Sequence, residues 1–114
     1  MKAAAPQEFP FRPAMNSSTL RPFGLDLFAQ LRLCRAAGYE GIEPWMRDLK
    51  AFAGAGGSLS DVRQAAEDLG IEIFDAIGLI KWADRDPAVR QSEMEEARRE
   101  MELLQTIGCP AVGA

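Results

Sequence analysis

The chain has 114 residues, of which 47% are hydrophobic and 26% charged, so we predict one domain over residues 1–114 with a flexible N-terminal segment over 1–10. Its net charge of −4 argues against a nucleic-acid-binding surface, which needs a basic face. No window reaches the roughly 18 apolar residues of a membrane span.

The first predicted elements are a short strand, a polar loop, a helix and a second strand. Phe11 to Met15 is predicted as the first strand, although two prolines limit its regularity, and Asn16 to Thr19 follows as a polar loop. From Leu25 to Ala37 apolar residues recur at helical spacing, and Gly38 is expected to end this helix. Glu40 to Trp45 is short, as a buried parallel strand would be.

The middle of the chain repeats the same succession of elements. Arg47 to Gly57 is predicted as a loop or partial helix, because its glycines disfavour regular structure. A second clear helix begins at Ser58, which has capping-box spacing with Asp61, and it ends at Gly70. Ile71 to Ile77 is the clearest strand, since its apolar residues are not interrupted by proline.

The last third begins with a loop over Gly78 to Asp84. Asp86 and Pro87 then supply an N-cap and a proline at the first helical position, which predicts a third helix that runs to Ile107. The apolar stripe of this helix is predicted to comprise Met94, Ala97, Met101 and Leu104. After a helix-ending glycine, Cys109 to Ala114 begins a fourth strand.

Strands that alternate with amphipathic helices indicate a parallel α/β sheet. The helix-ending glycines recur at intervals compatible with the roughly 30 residues of a βαβ unit. A doubly wound open sheet and a (β/α)8 barrel both fit, although the G-x-G-x-x-G of a dinucleotide-binding fold is absent after the first strand. Four strands and three helices fall short of the roughly 250 residues of a complete barrel, so the barrel interpretation predicts a partial one.

Cysteine and histidine content excludes several kinds of site. Cys34 and Cys109 lack the C-x-x-C spacing of a redox pair, and we predict that both are buried thiols in a reducing, cytoplasmic compartment. The sequence has no histidine. It therefore cannot form a Ser-His or Cys-His nucleophile pair or a histidine-containing metal site.

Four segments, in chain order, resemble the sugar phosphate isomerase/epimerase superfamily, the xylose isomerase-like TIM barrels. Met15 to Leu20 resembles the family's "LN-x-x-T" first strand and loop, and Ala36 to Trp45 its "A-G-[FY]-x-G-[IV]-E-x-W" second strand. Asp68 to Ile73 is similar to "L-G-[IL]-x-[IV]", and Leu103 to Pro110 to "L-G-[CA]-P". The ordered set is more specific than any single motif.

This resemblance implies the α/β fold of the N-terminal part of such a barrel, with about four strands and three helices. It implies an isomerase or epimerase that acts on a sugar, sugar phosphate or polyol through metal-assisted proton transfer. The divalent metal would be Mn, Mg, Co or Zn, and its ligands are expected on later strands of the family. No residue of this sequence is therefore assigned as a metal ligand, and the catalytic residues are left open.

Barrel active sites gather at the C-terminal ends of strands, and this position selects the candidate substrate-binding residues. They are Asn16, Glu43, Trp45, Lys81 and Trp82. An amide, a carboxylate or a lysine can bind hydroxyl oxygens, and an indole can pack against the apolar face of a sugar.

Each candidate also has an ordinary structural interpretation. The Asn16 amide can close an Asx-turn, and Glu43 can pair with Arg12 or Arg47. The tryptophans can pack in the core or between the helices and the barrel, and the lysine can be a solvated loop residue. Asp75, inside the third predicted strand, could point inward or form a buried salt bridge.

Three functions stay open at this point. The first is the isomerase or epimerase, whose partner is a small sugar or polyol. The second is a non-catalytic half-barrel that assembles with itself as a homo-oligomer or with another protein through open strand edges. The third is an endonuclease-IV-like barrel, which the acidic composition and the absent histidines disfavour.

Overall fold

The computed structural model describes residues 10–114, so the predicted flexible segment 1–10 lies outside it except for Pro10. The described residues form five short strands, four α-helices and one 3₁₀ segment. The strands are β1 (Ala14–Asn16), β2 (Gly41–Glu43), β3 (Glu72–Ile73), β4 (Ala76–Ile77) and β5 (Val112–Gly113). The helices are α1 (Leu27–Ala36), α2 (Met46–Gly54), α3 (Leu59–Leu69) and α4 (Pro87–Thr106), and the 3₁₀ segment is Ser17–Phe23.

The strands form the parallel layer that the alternating sequence pattern predicts. β1 pairs with β2, β2 with β3, and β4 with β5, all in parallel. A parallel bridge between Trp45 and Ile77 continues β2 onto β4, and the Ile77 N–H donates to the Pro44 carbonyl at 2.9 Å. The strands therefore lie side by side in chain order, as consecutive βα units of an α/β barrel do.

The third predicted strand, Ile71 to Ile77, is divided into β3 and β4 by Phe74 and Asp75. Ile73 is a core residue at 5% exposure, and the next core residue is Ala76, at 0%. The buried positions thus change phase by one residue, which is the effect of an irregular, bulge-like interruption in a strand. As a result, Asp75 is half-buried outside the core instead of occupying the core position that strict alternation would give it.

The helices α3 and α4 begin at the predicted residues, whereas α1, predicted over Leu25 to Ala37, begins at Leu27 because Asp26 caps it. The Asp26 carboxylate accepts the Ala29 N–H at 2.8 Å before α1, the Asp86 carboxylate accepts the Ala88 N–H at 2.9 Å before α4, and Ser58 caps α3. The helix-ending glycines all have positive φ, namely 86° at Gly38, 69° at Gly70 and 73° at Gly108. Each of them turns the chain from a helix into the next strand.

Two other segments differ from the prediction. Arg47 to Gly57, predicted as a loop or partial helix, contains the regular helix α2, so the described residues have four α-helices where three were predicted. Met46 and Leu49, exposed by 2% and 1%, give α2 an apolar face that packs in the core, whereas the glycines only end it. The first strand, predicted over Phe11 to Met15, is Ala14–Asn16, so Asn16 of the predicted loop belongs to β1, and the rest of that loop begins the 3₁₀ segment.

The core lies between the strands and the helices. Among its members are Leu31, Ile42, Leu49, Val62, Ile73 and Leu104. Cys34 and Cys109 are free thiols that belong to the same core, at 1% and 7% exposure, which confirms the prediction that both are buried.

The buried face of α4 differs from the predicted apolar stripe. Met94 and Met101 are 44% and 51% exposed, whereas Ala97 and Glu100 are buried. Glu100 can occupy a buried position because Lys50 Nζ lies 2.9 Å from its Oε1, and this ion pair offsets part of the cost of burying a charge. Within residues 10–114, no helix is both long enough and apolar enough to cross a membrane.

Candidate functional site

Two polar side chains lie next to each other where the first two strands end. Asn16 and Glu43 are the last residues of β1 and β2 and are partners in the parallel register. Asn16 Nδ2 donates a hydrogen bond to Glu43 Oε1 at 2.5 Å. Because the strands are parallel, the amide and the carboxylate meet at the C-terminal edge of the sheet, where α/β proteins bind ligands. The structure thus brings two of the predicted substrate-binding residues together, and their contact with a substrate stays a prediction.

Three donors hold the oxygen of the Asn16 amide in place. Asn16 Oδ1 accepts the backbone N–H of Ser18 at 3.0 Å, the Ser18 hydroxyl at 2.6 Å and the indole N–H of Trp45 at 2.9 Å. The bond to the Ser18 N–H is the local turn contact that was the alternative interpretation of Asn16. The Asn16 side chain therefore closes the local turn and also contacts the neighbouring strand, since its oxygen caps the 3₁₀ segment while its nitrogen donates to Glu43.

A second carboxyl group, that of Asp75, approaches Glu43 from the interruption between β3 and β4. Burial, followed by the hydrogen bond to Glu43 and the charge of Glu43, raises the pKa of Asp75 to about 6. A neighbouring carboxylate disfavours ionisation of Asp75, because two negative charges close together repel each other. The Asp75 carboxyl group can therefore gain or lose a proton close to neutral pH.

Within residues 10–114, neither carboxyl group of this pair has a basic partner. Arg12 and Arg47 were the alternative partners for Glu43, but Arg12 lies 2.6 Å from Glu72 and Arg47 lies 3.2 Å from Asp48. Asp75, for which a buried salt bridge was the alternative, also forms no salt bridge among the described residues. The pair is therefore open to a ligand that donates hydrogen bonds.

The indole of Trp45 forms a wall beside these groups. Its N–H is bonded to Asn16, and the guanidinium of Arg21, on the 3₁₀ segment, lies 5.5 Å from the centre of its ring. The side chain is half-buried and lies outside the core, which excludes the core-packing alternative. We refer to Asn16, Glu43, Trp45 and Asp75 together as the strand-end cluster.

The two remaining candidates lie in the loop that follows β4. Trp82 is 59% exposed, so it is not a core residue, and Lys81 is exposed as well. The backbone N–H of Lys81 donates to the Glu93 carboxylate on α4 at 3.1 Å, which anchors the loop. Among the described residues, no hydrogen bond joins either side chain to the strand-end cluster. Their role in substrate binding stays a prediction.

Asp75 is the member of the strand-end cluster that the list of candidate residues did not include. The signal was present as one of the two carboxylates, Glu72 and Asp75, that interrupt the apolar residues of Ile71 to Ile77. Strict alternation, however, places Asp75 in the same row as Ile73, which faces the core. The change of phase between β3 and β4, which sequence alone did not indicate, turns it away from that row.

The strand-end cluster presents an amide and two carboxyl groups, but it does not contain the three-residue group of metal-binding side chains that would indicate a metal site. Within residues 10–114, no three side chains of His, Cys, Asp or Glu are grouped so that they could hold a metal ion. The cluster has two carboxyl groups, and that of Glu43 already accepts the Asn16 amide. A protein zinc site has three or four protein ligands, which is more than the two carboxyl groups of the cluster supply.

Comparisons with known proteins agree with this architecture. The sequence model of the xylose isomerase-like TIM barrel family matches residues 31–114, and no curated protein matches the chain. A solved xylose isomerase-like TIM barrel/4-hydroxyphenylpyruvate dioxygenase fusion protein is 28% identical, with a TM-score of 0.76. The probable 3-DHS dehydratase AsbF involved in petrobactin synthesis from Bacillus anthracis is 12% identical, with a TM-score of 0.75. A D-psicose 3-epimerase solved in the presence of D-fructose is 17% identical, with a TM-score of 0.73.

These three matches cover 89%, 90% and 90% of the chain but only 15%, 37% and 36% of the respective solved proteins. The dehydratase and the epimerase are so distant in sequence that the likeness shows the fold alone. The family match spans well over half of the chain, and the parallel strands occur in the order that the family's barrel requires. The chain therefore belongs to the xylose isomerase-like TIM barrel family, of whose barrel it forms a part.

Proposed function

We propose that the chain is part of a sugar or polyol isomerase or epimerase, and that its strand-end cluster binds hydroxyl groups of the substrate. The observation that carries this proposal is the convergence of one amide and two carboxyl groups at the C-terminal edge of the sheet, without a basic partner among the described residues. The likeness to a D-psicose 3-epimerase supports the choice of a sugar. The acidic character of the cluster favours a hydroxylated ligand over a nucleic acid.

The hydrogen-bonding capacity of the cluster matches a polyol. A hydroxyl group both donates and accepts, so it can donate to the Glu43 or Asp75 carboxylate and accept from the second N–H of the Asn16 amide. The hydrogen bonds to Ser18 and Trp45 hold this amide before a ligand arrives. Such preorganisation reduces the entropy that is lost when the substrate binds.

Proton transfer is assigned to the carboxyl pair. General acid–base catalysis is most efficient when the pKa of the group lies near the operating pH, and the pKa of Asp75 is raised to about 6. In its ionised form Asp75 would take the proton from a hydroxyl-bearing carbon next to the carbonyl group of the sugar, which leaves an enediolate. In an isomerisation Asp75 would return this proton to the former carbonyl carbon, while the hydroxyl proton passes to the former carbonyl oxygen, so that no proton is gained or lost. An epimerisation would need a second acid on the opposite face of the carbon, which the strand-end cluster does not supply.

The divalent metal that the resemblance implies is not assigned to these residues, because the described part of the chain does not supply a ligand set. No step of the proposed proton transfer therefore depends on it. A small sugar or polyol is the proposed partner. Homo-oligomerisation and a cytoplasmic location stay predictions from the sequence.

Binding is tested first, by titrating the 15N-labelled chain with D-fructose and following the side-chain amide of Asn16 and the indole N–H of Trp45. We expect saturable shifts of both signals. Glu43→Ala should weaken binding by roughly tenfold or more, because hydrogen bonds to charged groups are the stronger ones. Glu40→Ala is the matched control, since Glu40 is an exposed carboxylate that lies 3.9 Å from Arg12.

Catalysis is tested separately, by incubating the sugar with the protein in D2O and measuring deuterium bound to carbon. We expect deuterium incorporation by the unaltered protein and by Glu40→Ala, and we expect it to be lost in Asp75→Asn. If Glu43→Ala and Glu40→Ala bind D-fructose equally well, hydroxyl binding by the strand-end cluster is refuted. If the sugar binds and Asp75→Asn still exchanges deuterium at the original rate, the proton-transfer role is refuted.

A further inference from the structure

The hydrogen bonds of the strand-end cluster can run in only one direction. The backbone N–H of Ser18 and the indole N–H of Trp45 donate but cannot accept, and both contact Asn16 Oδ1, at 3.0 and 2.9 Å. The Asn16 amide must therefore point its oxygen towards these two groups, and its nitrogen faces Glu43. Because the amide nitrogen only donates, the Glu43 oxygen that it contacts has to be an acceptor.

This arrangement favours Glu43 in its ionised form. A hydrogen bond donated to a carboxylate stabilises the charged form relative to the protonated one. The Ser18 hydroxyl, at 2.6 Å, is a third donor to Asn16 Oδ1. Donors on the oxygen of an amide polarise it and strengthen the bond that its nitrogen donates, so Trp45 acts on Glu43 through the amide.

Asp75 does not share these donors. Among the described residues, no hydrogen bond joins Asp75 to the amide, the hydroxyl or the indole of this network, and burial and then Glu43 disfavour its charge. When a proton enters the pair, Asp75 can hold it and donate it to Glu43, whose carboxylate already accepts from Asn16.

Two other titratable or charged groups lie near this network. The guanidinium of Arg21, on the 3₁₀ segment, lies 5.5 Å from the centre of the Trp45 ring, and Cys109, ahead of β5, is affected by the charge of Asp75. Arginine stays protonated, and burial raises the pKa of the Cys109 thiol above its ordinary value of 9.0. Neither group changes its charge between pH 5 and 7.5, so a change at the cluster in this interval belongs to the two carboxyl groups.

We propose that Trp45 is a positioning residue whose indole N–H, acting through the Asn16 amide, keeps Glu43 an ionised acceptor and makes Asp75 the carboxyl group that takes up the proton. This placement of the proton does not depend on the proposed function. Its catalytic consequence rests on that function, since Glu43 then accepts a substrate hydroxyl while Asp75 remains the base. Without the indole N–H, Glu43 takes a larger share of the proton, and the two carboxyl groups lose their separate roles.

The test follows the side-chain carboxyl carbons of the 13C-labelled 114-residue chain by NMR between pH 7.5 and 5, without a ligand. As the pH falls through 6, we expect the Asp75 signal to move and the Glu43 signal to move little. Trp45→Phe keeps an aromatic ring but loses the N–H, and it should raise the share of the proton on Glu43 roughly two- to fivefold. Asn16→Leu removes the bond to the carboxylate and should raise this share roughly tenfold or more. Trp82→Phe is the matched control, because Trp82 is exposed and has no hydrogen bond to the cluster among the described residues.

Circular dichroism melts establish whether each variant folds. Asn16→Leu also removes the cap of the 3₁₀ segment, so Ser18→Ala replaces it if it is unfolded. Ser18→Ala loses only the hydroxyl donor and should behave like Trp45→Phe. Proton uptake by Glu43 ahead of Asp75 in the unaltered chain, or a Trp45→Phe variant that titrates like Trp82→Phe, would overturn the role of Trp45. If the carboxyl groups titrate as expected but D-fructose does not bind, the proposed function fails while the placement of the proton stands.

Discussion

Replacing Asp75 by asparagine tests the carboxyl pair through the pH dependence of stability. The pKa of Asp75 is about 6 in the folded protein, against an ordinary value of 3.8. Since the folded pKa is the higher one, the folded protein holds the proton more tightly than the unfolded chain does. Its contribution to stability is therefore complete below pH 4 and is lost as the pH rises through 6.

The expected magnitude follows from this shift. At 1.36 kcal/mol per pKa unit, the whole shift corresponds to about 3 kcal/mol. Asp75 is only half-buried, and solvent screening reduces the value, so we expect about 1 to 2 kcal/mol. Asp75→Asn should match the unaltered protein near pH 4 and exceed its free energy of unfolding by this amount at pH 7.

Urea unfolding at several pH values between 4 and 7.5 measures this difference. Asp68→Asn is the control, because Asp68 is an exposed carboxylate on α3, and it should leave the pH dependence unchanged. Glu43→Gln should lower the pKa of Asp75 only in part, since burial is the largest cause of the shift. The reasoning is refuted if Asp75 titrates near pH 4 in a 13C NMR experiment, or if Asp75→Asn destabilises the protein equally at pH 4 and pH 7.

Three further predictions concern stability and reactivity. Gly41→Ala should lower the free energy of unfolding by about 1 to 3 kcal/mol, because a Cβ there would overlap the Phe74 ring and lie 2.9 Å from a backbone oxygen. Gly54→Ala is the control in the same urea assay and should leave the free energy of unfolding unchanged, because its Cβ would meet nothing within 4 Å. Asp26→Ala should cost about 1 kcal/mol through the loss of its cap on α1, and an unchanged melting temperature would contradict this. Both buried cysteines, whose thiol pKa values are raised by burial, should react with a thiol reagent only after unfolding, and rapid reaction of the native protein would contradict their placement.

The regular elements were largely predictable because their signals are local. Asp86 begins α4 through a bond to an N–H group two residues away, and the glycines end the helices through their own backbone conformation. α2 was underestimated, because Met46 and Leu49 form an apolar face that gains its stability only by packing against the rest of the core. The same holds for Glu100, whose buried position depends on Lys50 of another helix.

Some members of the strand-end cluster were likewise predictable from the sequence, and one was not. The sequence placed Asn16 and Glu43 at the ends of neighbouring strands, and the parallel register brought them into contact. It did not identify Asp75 as their neighbour, because period-two alternation assigns that position to the core. The interruption between β3 and β4 moves Asp75 out of the row that faces the core. This interruption depends on tertiary contacts, because β3 pairs with β2 whereas β4 pairs with β5.

The sequence by itself determined the alternation of parallel strands and helices, the helix ends, and the family to which the chain belongs. These properties depend on hydrophobic period, capping residues and short motifs, all of which act over a few residues. Only the tertiary structure decided which side chains meet, namely that Glu43 bonds to Asn16 and approaches Asp75 while the nearby arginines pair elsewhere. The physical reason is that contacts between strands depend on register and on local phase, and a shift of one residue moves a side chain to the opposite face of the sheet.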